Sequence, residues 1–261
     1  MAAGEREPVG RGLDVLIWIC THPDPPWSVR SIARELNTSP TTVHRIFGTF
    51  ENRGLLERDG DGGYVPGLEL FRIGHNVAAQ MSPARLVRPY LEALSDQFSE
   101  TAMLGTYNPK RGEMLYLDVV QSAHPVRYII EKGMWMKIHA GATGLAILSF
   151  LPEQERRAIY EHGLAPLTDR TITTEEDLEL TAAQIRQIGW VSTHGQRTVG
   201  AVGTAAPVFD AAGQVFGDVC LTIPEQRFDD RLTETIGAAV AATADSVSAE
   251  LRRAGYRRGT S

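Results

Sequence analysis

Residues 28–59 read SVRSIARELNTSPTTVHRIFGTFENRGLLERD, and this stretch decides the fold of the first part of the chain. Apolar side chains recur at Val29, Ile32, Ala33 and Leu36, which is the spacing of a short amphipathic helix. The serine just before them can accept a hydrogen bond from the free N–H groups of the first turn, so it is a good N-cap. The stretch therefore predicts a helix that begins next to residue 28.

A second helix is predicted directly after a short polar turn. Residues 37–39 (NTS) favour turns and caps, because their side chains compete for backbone groups. Pro40 suits the first helical position, where its missing N–H costs nothing, and Gly54 suits a left-handed C-terminal cap. The apolar stripe of this second helix is Val43, Ile46, Phe47 and Phe50. Two short helices joined by a tight turn make a helix-turn-helix.

The other face of the second helix carries small or hydrogen-bonding side chains, which suit a DNA-reading helix. Short hydroxyl groups allow a close approach to base edges, a helix N-terminus attracts phosphate, and an arginine can contact guanine or phosphate. The alternative is that Thr41 and Thr42 are ordinary solvated residues and that Arg45 pairs with a nearby glutamate. The candidate DNA contacts are Ser28, Arg30, Ser39, Thr41, Thr42, His44, Arg45 and Thr49.

A β-hairpin is predicted after the two helices. Residues 55–58 (LLER) and Tyr64-Val65 read as short strands, and the Gly-rich segment 59–63 (DGDGG) reads as the turn between them. A hairpin in this position is the wing of a winged helix-turn-helix, which strengthens the prediction of DNA binding.

The composition of the 261-residue chain fits a globular protein with two domains. A hydrophobic content of 43% and a charged content of 22% are ordinary for this class. No apolar run approaches the roughly 20 residues of a membrane span, and the N-terminus lacks a signal pattern. The two cysteines lie far apart, so neither a disulfide framework nor a cysteine zinc site is expected. We therefore expect a cytoplasmic protein without membrane contact.

The net charge of −6 is unfavourable for DNA binding, because affinity depends on cations that neutralise phosphates. Cations are nevertheless concentrated in the opening stretch. They are Arg30, Arg34, Arg45, Arg53 and Arg58. A small, locally positive domain can bind DNA while acidic character elsewhere suppresses nonspecific binding.

The second half of the chain changes from helical to strand periodicity, which predicts an α+β domain. The predicted strands are 102–107, 114–120, 126–130, 190–193, 201–209 and 215–223. Helices are expected at 141–151, 152–161, 175–188 and 229–253. The predicted segments are a disordered tail (1–9), the winged helix-turn-helix domain (10–67), a linker helix (68–83), the second domain (84–254) and a flexible tail (255–261). The linker region is more apolar than a connector requires, so part of it is a candidate dimer interface.

Over nearly its full length the sequence resembles the IclR family of bacterial transcriptional regulators. The resemblance rests on the order and spacing of short motifs. They are residues 31–36 (SIAREL), 40–45 (PTTVHR), 53–57 (RGLLE), 64–70 (YVPGLEL), 138–146 (IHAGATGLA), 169–173 (DRTIT) and 205–210 (AAPVFD). It implies a winged helix-turn-helix joined to a GAF-like effector-binding domain, with a mixed sheet and flanking helices, that acts as a dimer or a dimer of dimers.

Two departures from the family pattern concern its ligand pocket. The family usually has paired acids where this chain has Gly195-Gln196, and often a cysteine where this chain has Gly203-Thr204. These positions lie near the family's ligand pocket, so the departures predict an effector that differs from the usual small carboxylates.

The effector pocket is expected around residues 139–146, where a tight turn leads into a helix N-terminus that can hold a carboxylate. The alternatives are that its glycines serve close packing of helix on sheet, and that the apolar wall residues, including Tyr107 and Trp135, are plain core. The candidate effector contacts are Met103, Tyr128, Met136, His139, Ala142, Thr143, Gly144, Ala146, Thr204, Cys220 and Thr222.

Catalysis is a competing interpretation, because Cys220 with His139 or His194 resembles a thiol–imidazole pair. A buried cysteine in a strand is more often an inert small hydrophobe, and the histidines show no metal-ligand spacing. We therefore expect no enzyme, no metal and no cofactor. A constitutive DNA-binding module is the other alternative, although it has little use for a pocket. The interpretation adopted is a homo-oligomeric transcription factor that binds a pseudo-palindromic operator and a small organic or aromatic acid.

Overall fold

The computed structural model describes residues 8–22, 24–80 and 83–258. The chain divides into two compact units, one that ends at residue 81 and one that begins at residue 82. Each unit has its own hydrophobic core. No helix in the described ranges is long and apolar enough to cross a membrane.

The first unit is a helix-turn-helix followed by a two-stranded hairpin and a further helix. Ser28 and Ser39 cap the two central helices, and each serine hydroxyl accepts the backbone N–H three residues later. Asn37 takes a positive φ of 47° in the turn between them. The elements are α1 (Pro8–Thr21), α2 (Val29–Glu35), α3 (Pro40–Asn52), β1 (Leu56–Arg58), β2 (Tyr64–Pro66) and α4 (Leu68–Gln80).

The apolar stripes predicted for α2 and α3 form the core of this unit. Ile32, Val43 and Phe47 are fully buried, and the Phe47 ring meets the edge of Tyr64 with ring centroids 4.4 Å apart. Trp27 is also buried and forms an isolated antiparallel bridge to Tyr64 in β2. The hairpin is therefore packed onto the helix-turn-helix as a wing.

The second unit is built on a six-stranded sheet with strand order β5-β4-β3-β8-β7-β6. Its strands are β3 (Thr101–Asn108), β4 (Glu113–Val120), β5 (Met136–Lys137), β6 (Val191–His194), β7 (Ala201–Phe209) and β8 (Val215–Pro224). Its helices are α5 (Pro83–Phe98), α6 (Gly141–Leu148), α7 (Glu153–Glu161), α8 (Glu175–Ile188) and α9 (Thr233–Arg253), with a short 3₁₀ turn at Asp230–Leu232. Sheet with flanking helices confirms the predicted α+β class.

Strand alternation divides the sheet between two cores. Met103 of β3 and Cys220 of β8 face the core that contains α6, whereas Leu104 and Leu221 face the core that contains α5 and α9. Successive strand residues point to opposite faces, so a strand with helices on both sides is apolar at every position. This explains the nearly continuous burial of β8.

Two sequence predictions differ from the structure of the second unit. Every strand pair is antiparallel, so the sheet is not mixed. Residues 126–130 form a loop and not a strand, and the outer edge of β4 pairs instead with β5, at Glu113 and Met114. Val126 and Ile129 are accordingly 68% and 77% exposed.

The chain termini also differ from the predicted tails. The helix α1 begins at Pro8, so the last two residues of the predicted N-terminal tail are helical, while residues 1–7 lie outside the described ranges. Tyr256 donates its N–H to Leu251 and accepts one from Ala211, and Arg258 forms a salt bridge of 2.7 Å with Glu155. Residues 255–258 are thus bound to the second unit instead of forming a flexible tail.

Candidate functional sites

One face of α3 is exposed and polar. Val43 and Phe47 are buried on its inner side. A helical period of 3.6 residues places the polar positions on the outer side, away from these two. The exposed side chains of that outer face are Thr41, His44, Arg45 and Thr49.

Arg45 is not engaged with acids of its own domain. Its guanidinium makes no hydrogen bond or ion pair with any residue that the structure describes. Arg30, Arg34 and Arg53 are likewise exposed without an ion pair in the described ranges. The alternative in which Arg45 is neutralised by a nearby glutamate therefore does not hold, and α2 and α3 present free positive charge.

Several of the candidate hydroxyl groups already make local hydrogen bonds. Those of Ser28 and Ser39 cap their helices, and that of Ser39 also lies 2.8 Å from the Thr42 hydroxyl. Thr49 donates to the carbonyl of Arg45 at 3.1 Å. On the outer side of α3, the polar groups without a hydrogen-bond partner among the described residues are thus those of Thr41, His44 and Arg45.

The wing does not add to this positive surface. Arg58 lies over the Tyr64 ring, 4.5 Å from its centroid, and its Nε is 3.4 Å from the Glu51 carboxylate. The Asp59 carboxylate accepts the backbone N–H groups of Asp61 and Gly63 and so organises the hairpin turn. The arginine of the wing therefore interacts with residues of its own domain, and the hairpin tip is acidic.

The second unit contains a cavity of about 160 Å³ on the α6 side of the sheet, which we call the arginine cavity. Its walls come from the loop after β4, the start of α6, the segment between β6 and β7, and the strands β7 and β8. The lining residues are Tyr116, Tyr128, Ile129, Ile130, Gly141, Ala142, Thr143, Thr193, Gln196, Arg197, Thr198, Ala201, Gly203, Cys220 and Thr222.

Arg197 contributes a positive charge to the wall of the arginine cavity. Its Nη2 donates to the carbonyl oxygens of Ala140 and Lys137 at 2.6 and 2.5 Å. Its Nε is buried without a hydrogen-bond partner among the described residues, and so is Oε1 of Gln196. Burial lowers the pKa of the Arg197 guanidinium, although an arginine remains charged at neutral pH. The wall therefore offers one unused donor beside one unused acceptor.

Asp218 lies on the same face of β8 as Cys220 and Thr222, and its carboxyl is completely buried. Burial raises its pKa well above the ordinary value, and the nearby Thr143 hydroxyl and Arg197 guanidinium lower it only in part. No described group makes a hydrogen bond to either carboxyl oxygen of Asp218. Burial therefore favours the protonated form of Asp218, next to the cationic Arg197.

A loop covers the arginine cavity and is tethered across it. Tyr128, in the loop after β4, donates its hydroxyl to the carbonyl of Val199 at 3.0 Å. Gln121 and Arg227 hold the same loop through the carbonyls of Ile130 and Val126. Residues 126–130, expected as a strand, thus form the cover of the cavity.

Five of the predicted effector contacts line the arginine cavity. They are Tyr128, Ala142, Thr143, Cys220 and Thr222. Of the four positions that depart from the family pattern, Gln196 and Gly203 also line it. A Cβ at Gly203 would stand 3.3 Å from that of Ala142, so the glycine keeps this part of the cavity open.

The other six predicted contacts lie elsewhere in the second unit. Met103 and Ala146 are buried in the core, and Met136 packs against that core. Gly144 packs on Ile138, where a Cβ would come within 2.4 Å of the carbonyl oxygen, so close packing explains this glycine. The remaining two are Thr204, which donates to the Ser192 hydroxyl, and His139, which lines a different cavity together with Tyr107.

Sequence reasoning did not select Arg197, Gln196, Tyr116 or Asp218. The family comparison identified the 195–196 departure but gave the arginine after it no role. For Asp218 the available signal was strand alternation, since residues 218, 220 and 222 share one face of β8. Charged side chains are usually exposed, and their burial is decided by contacts that no local pattern shows.

The structure does not support a thiol–imidazole pair at Cys220. The Cys220 thiol contacts the Leu221 carbonyl and the Thr222 hydroxyl, whereas His139 donates to the Ala165 carbonyl at 2.9 Å. His194 packs against Phe228. Burial, followed by the proximity of Asp218, raises the pKa of the Cys220 thiol to about 12, so it is not a thiolate nucleophile at neutral pH. In the described ranges no cluster of three or more side chains can hold a metal ion.

Comparison with known families agrees with both halves of this description. Residues 8–60 match the IclR helix-turn-helix domain, and residues 75–249 match the bacterial transcriptional regulator IclR C-terminal domain. The HTH-type transcriptional regulator BhcR of Paracoccus denitrificans is 30% identical over 240 residues, which cover 91% of this chain and 85% of BhcR.

Solved structures share the fold. An IclR transcriptional regulator from Alicyclobacillus acidocaldarius has a TM-score of 0.83 at 22% identity, with 93% of this chain and 98% of that chain covered. An IclR homologue from Microbacterium hydrocarbonoxydans, complexed with 4-hydroxybenzoate, has a TM-score of 0.81 at 21% identity, with 95% and 100% covered.

Proposed function

The chain belongs to the IclR family of bacterial transcriptional regulators, and we propose that it binds a pseudo-palindromic operator under the control of a small hydroxylated acid. The family pairs a DNA-binding helix-turn-helix with a C-terminal ligand-binding domain, and the matched relatives are regulators and not enzymes, as the sequence predicted. Because its target is DNA, we place its action in the cytoplasm.

The exposed face of α3 is the proposed base-reading surface. Thr41, His44 and Arg45 carry polar groups that no described residue occupies, and a free arginine can bind guanine or phosphate. Arg30 on α2 and the N-terminus of α3 are placed to contact phosphates, which fix the register of the helix on the duplex. Ser28, Ser39, Thr42 and Thr49 then contribute mainly by holding the helices in shape.

A homodimer is proposed because the first unit leaves apolar helix faces uncovered. On α1, Val9, Leu13 and Ile17 are spaced at four-residue intervals and are 53–67% exposed. On α4, Leu68 and Phe71 are 78% and 72% exposed. A dimer would present two copies of α3 to successive major grooves roughly 34 Å apart.

The arginine cavity carries the proposal of an acidic effector. Burying the Arg197 Nε without a partner is costly, and a ligand carboxylate offers the charge-assisted hydrogen bond that it lacks. Gln196 Oε1 needs a donor, which a ligand hydroxyl supplies. The raised pKa of the buried Asp218 reduces its negative charge and so its repulsion of a carboxylate. The 4-hydroxybenzoate held by the Microbacterium homologue has this combination of groups.

The proposal is tested first by selecting bound duplexes from a random DNA pool with the purified full chain. The best duplex is then titrated again in the presence of a panel of small hydroxy acids and of their dehydroxylated analogues. We expect an inverted repeat to be enriched, and one hydroxy acid to change its affinity more than the analogue does. If no sequence is enriched at moderate salt, the DNA-reading proposal fails. An enriched operator that no acid affects instead supports a constitutive DNA-binding module.

Two variants separate ligand binding from folding. Gln196→Leu removes the unused acceptor, and Thr222→Val removes a hydroxyl from the cavity wall; both keep the shape of the side chain approximately. Each should weaken the effector response and leave ligand-free operator affinity unchanged. An equal loss of both activities would indicate a folding defect, and an unchanged effector response in both variants would exclude the arginine cavity as the site.

A further inference from the structure

A second cavity in the C-terminal unit has no place in the proposed regulation by the arginine cavity. It has a volume of about 340 Å³, within the range of small-molecule sites, and we call it the lysine cavity. It lies between the turn that joins β3 to β4 and the helix α7. The lining residues are Tyr107, Pro109, Lys110, Arg111, Gly112, Lys137, His139, Gln154, Glu155, Ala158, Ile159, His162 and Gly163.

The two cavities are separate spaces that share no lining residue. The segment from Lys137 to Gly141 lies between them. The side chains of Lys137 and His139 line the lysine cavity, while the carbonyl oxygens of Lys137 and Ala140 accept hydrogen bonds from Arg197 of the arginine cavity. The two cavities are therefore distinct candidate binding sites.

The lysine cavity has more positive than negative charge. Arg111 and Lys137 share a single acid, Glu113, at 3.1 and 3.0 Å. Lys110 has no ion pair with any residue in the described ranges. The lining acid Glu155 forms a salt bridge of 2.7 Å with Arg258 through Oε1, while its Oε2 is buried without a hydrogen-bond partner in the described ranges. Four cations thus face two carboxylates, which leaves an excess of two positive charges at this site.

The lysine cavity also has an apolar wall. Pro109, Ala158 and Ile159 contribute aliphatic surface, and the buried Tyr107 contributes an aromatic ring. His162 donates from Nδ1 to the Ala158 carbonyl, which leaves its Nε2 available to a ligand. A complementary molecule has two negative charges for the cationic side and a compact apolar body for this wall.

We propose that the lysine cavity is a second ligand site, which binds a small dianion with an apolar body through Lys110 and Lys137. An aromatic dicarboxylate and an aryl phosphate share this chemistry. Lys110 offers an uncompensated charge to the ligand, and Lys137 offers a second cation that Glu113 shares with Arg111. Ligand binding in the lysine cavity does not require effector binding in the arginine cavity.

The test is calorimetric titration of the full chain with phthalate and with phenyl phosphate at constant ionic strength, with benzoate as the monoanion control. We expect one molecule of dianion to bind per chain and more tightly than benzoate. Lys110→Met and Lys137→Met should each weaken that binding at least about tenfold, because each removes a charge-assisted contact. The dianion that binds more tightly identifies the carboxylate or the phosphate class.

Matched variants make the result specific to this cavity. Lys132→Met removes a lysine that pairs with Asp118 and does not line the cavity, so it should leave binding unchanged. Thr222→Val changes the arginine cavity and should also leave dianion binding unchanged. Lys110 has no ion-pair partner in the described part of the chain, so its replacement should not alter the melting temperature.

Three results would overturn the proposal. The first is that neither dianion binds at concentrations up to about 10 mM, a Kd near the weak limit for a specific contact. The second is equal binding by Lys110→Met and the wild type. The third is that Thr222→Val, and not the lysine variants, abolishes binding, which would place the dianion in the arginine cavity.

Discussion

Arg45 is the side chain that contributes most directly to the proposed reading of DNA. It is exposed on α3, and no described residue neutralises it. Arg45→Ala should weaken specific operator binding by about 1–3 kcal/mol if the guanidinium contacts a base. Fluorescence anisotropy with the selected duplex measures this loss. Arg157→Ala removes an exposed arginine from α7 and serves as the control. Unchanged affinity together with an unchanged salt dependence would exclude Arg45 from the interface.

Asp218 determines a pH dependence of stability. Because burial raises its pKa, the folded protein keeps a proton that the unfolded chain releases above its ordinary pKa of about 3.9. The free energy of unfolding therefore falls as pH rises from about 4, by roughly 1.4 kcal/mol per pH unit for this group, until the folded pKa is passed. Asp218→Asn has no proton to lose, so its stability relative to the wild type should increase with pH.

Urea unfolding at pH 5 and pH 8 measures that difference. Asp96→Asn, at an exposed position, is the control, and it should change the free energy of unfolding equally at pH 5 and pH 8. If the difference in free energy of unfolding between Asp218→Asn and the wild type is the same at both pH values, Asp218 is not held in its protonated form.

Helix caps and other features set by near neighbours in the sequence could be predicted, whereas the burial of charged side chains could not. The caps Ser28 and Ser39 and the position of Pro40 depend on neighbours within four residues, and the structure confirms them. Arg197 meets the carbonyl of Lys137, 60 residues away in sequence. Such a contact exists only after the sheet has formed, so a single sequence does not reveal it.

Among the elements, regular periodicity was a reliable guide. The strands β7 and β8 and the helix α8 lie where alternation and helical spacing predicted them. The segment 126–130 (VRYII) has strand-forming residues but lies in a loop, which is held by hydrogen bonds such as that from Tyr128 to the Val199 carbonyl. Strand propensity alone therefore does not decide the structure of a segment, because tertiary contacts override it.

The helix α4 provides a test of the proposed dimer interface. Phe71 and Leu68 are large, apolar and exposed, and burying such a side chain contributes about 1.5–3 kcal/mol. Phe71→Ser should therefore raise the dimer dissociation constant by about ten- to a hundredfold, as measured by sedimentation at a series of protein concentrations.

Asn76→Ser, an exposed polar position on the same helix, is the control for that experiment and should leave association unchanged. A wild-type chain that sediments as a monomer at every concentration would remove the dimer from the account. Identical association of Phe71→Ser and the wild type would assign the interface to another surface.

For the whole molecule, the sequence predicted the two-part organisation and the α+β class, and the family matches confirm membership in the IclR family. It did not predict that every strand pair of the sheet is antiparallel, because a period of two residues is the same in parallel and antiparallel sheets. The effector remains a proposal for a related reason: the wall atoms that select it, on Arg197 and Gln196, are brought together only by the tertiary fold.

The central claim is that one chain couples an operator to a ligand in the arginine cavity. The most direct measurement is operator affinity without ligand and at saturation with the acid found by titration, for the wild type and for Gln196→Leu. The wild type should change its operator affinity by a factor of about 5–150, the usual range of allosteric coupling. Gln196→Leu should need more ligand for the same change. Operator affinity that is identical with and without saturating ligand would contradict the account.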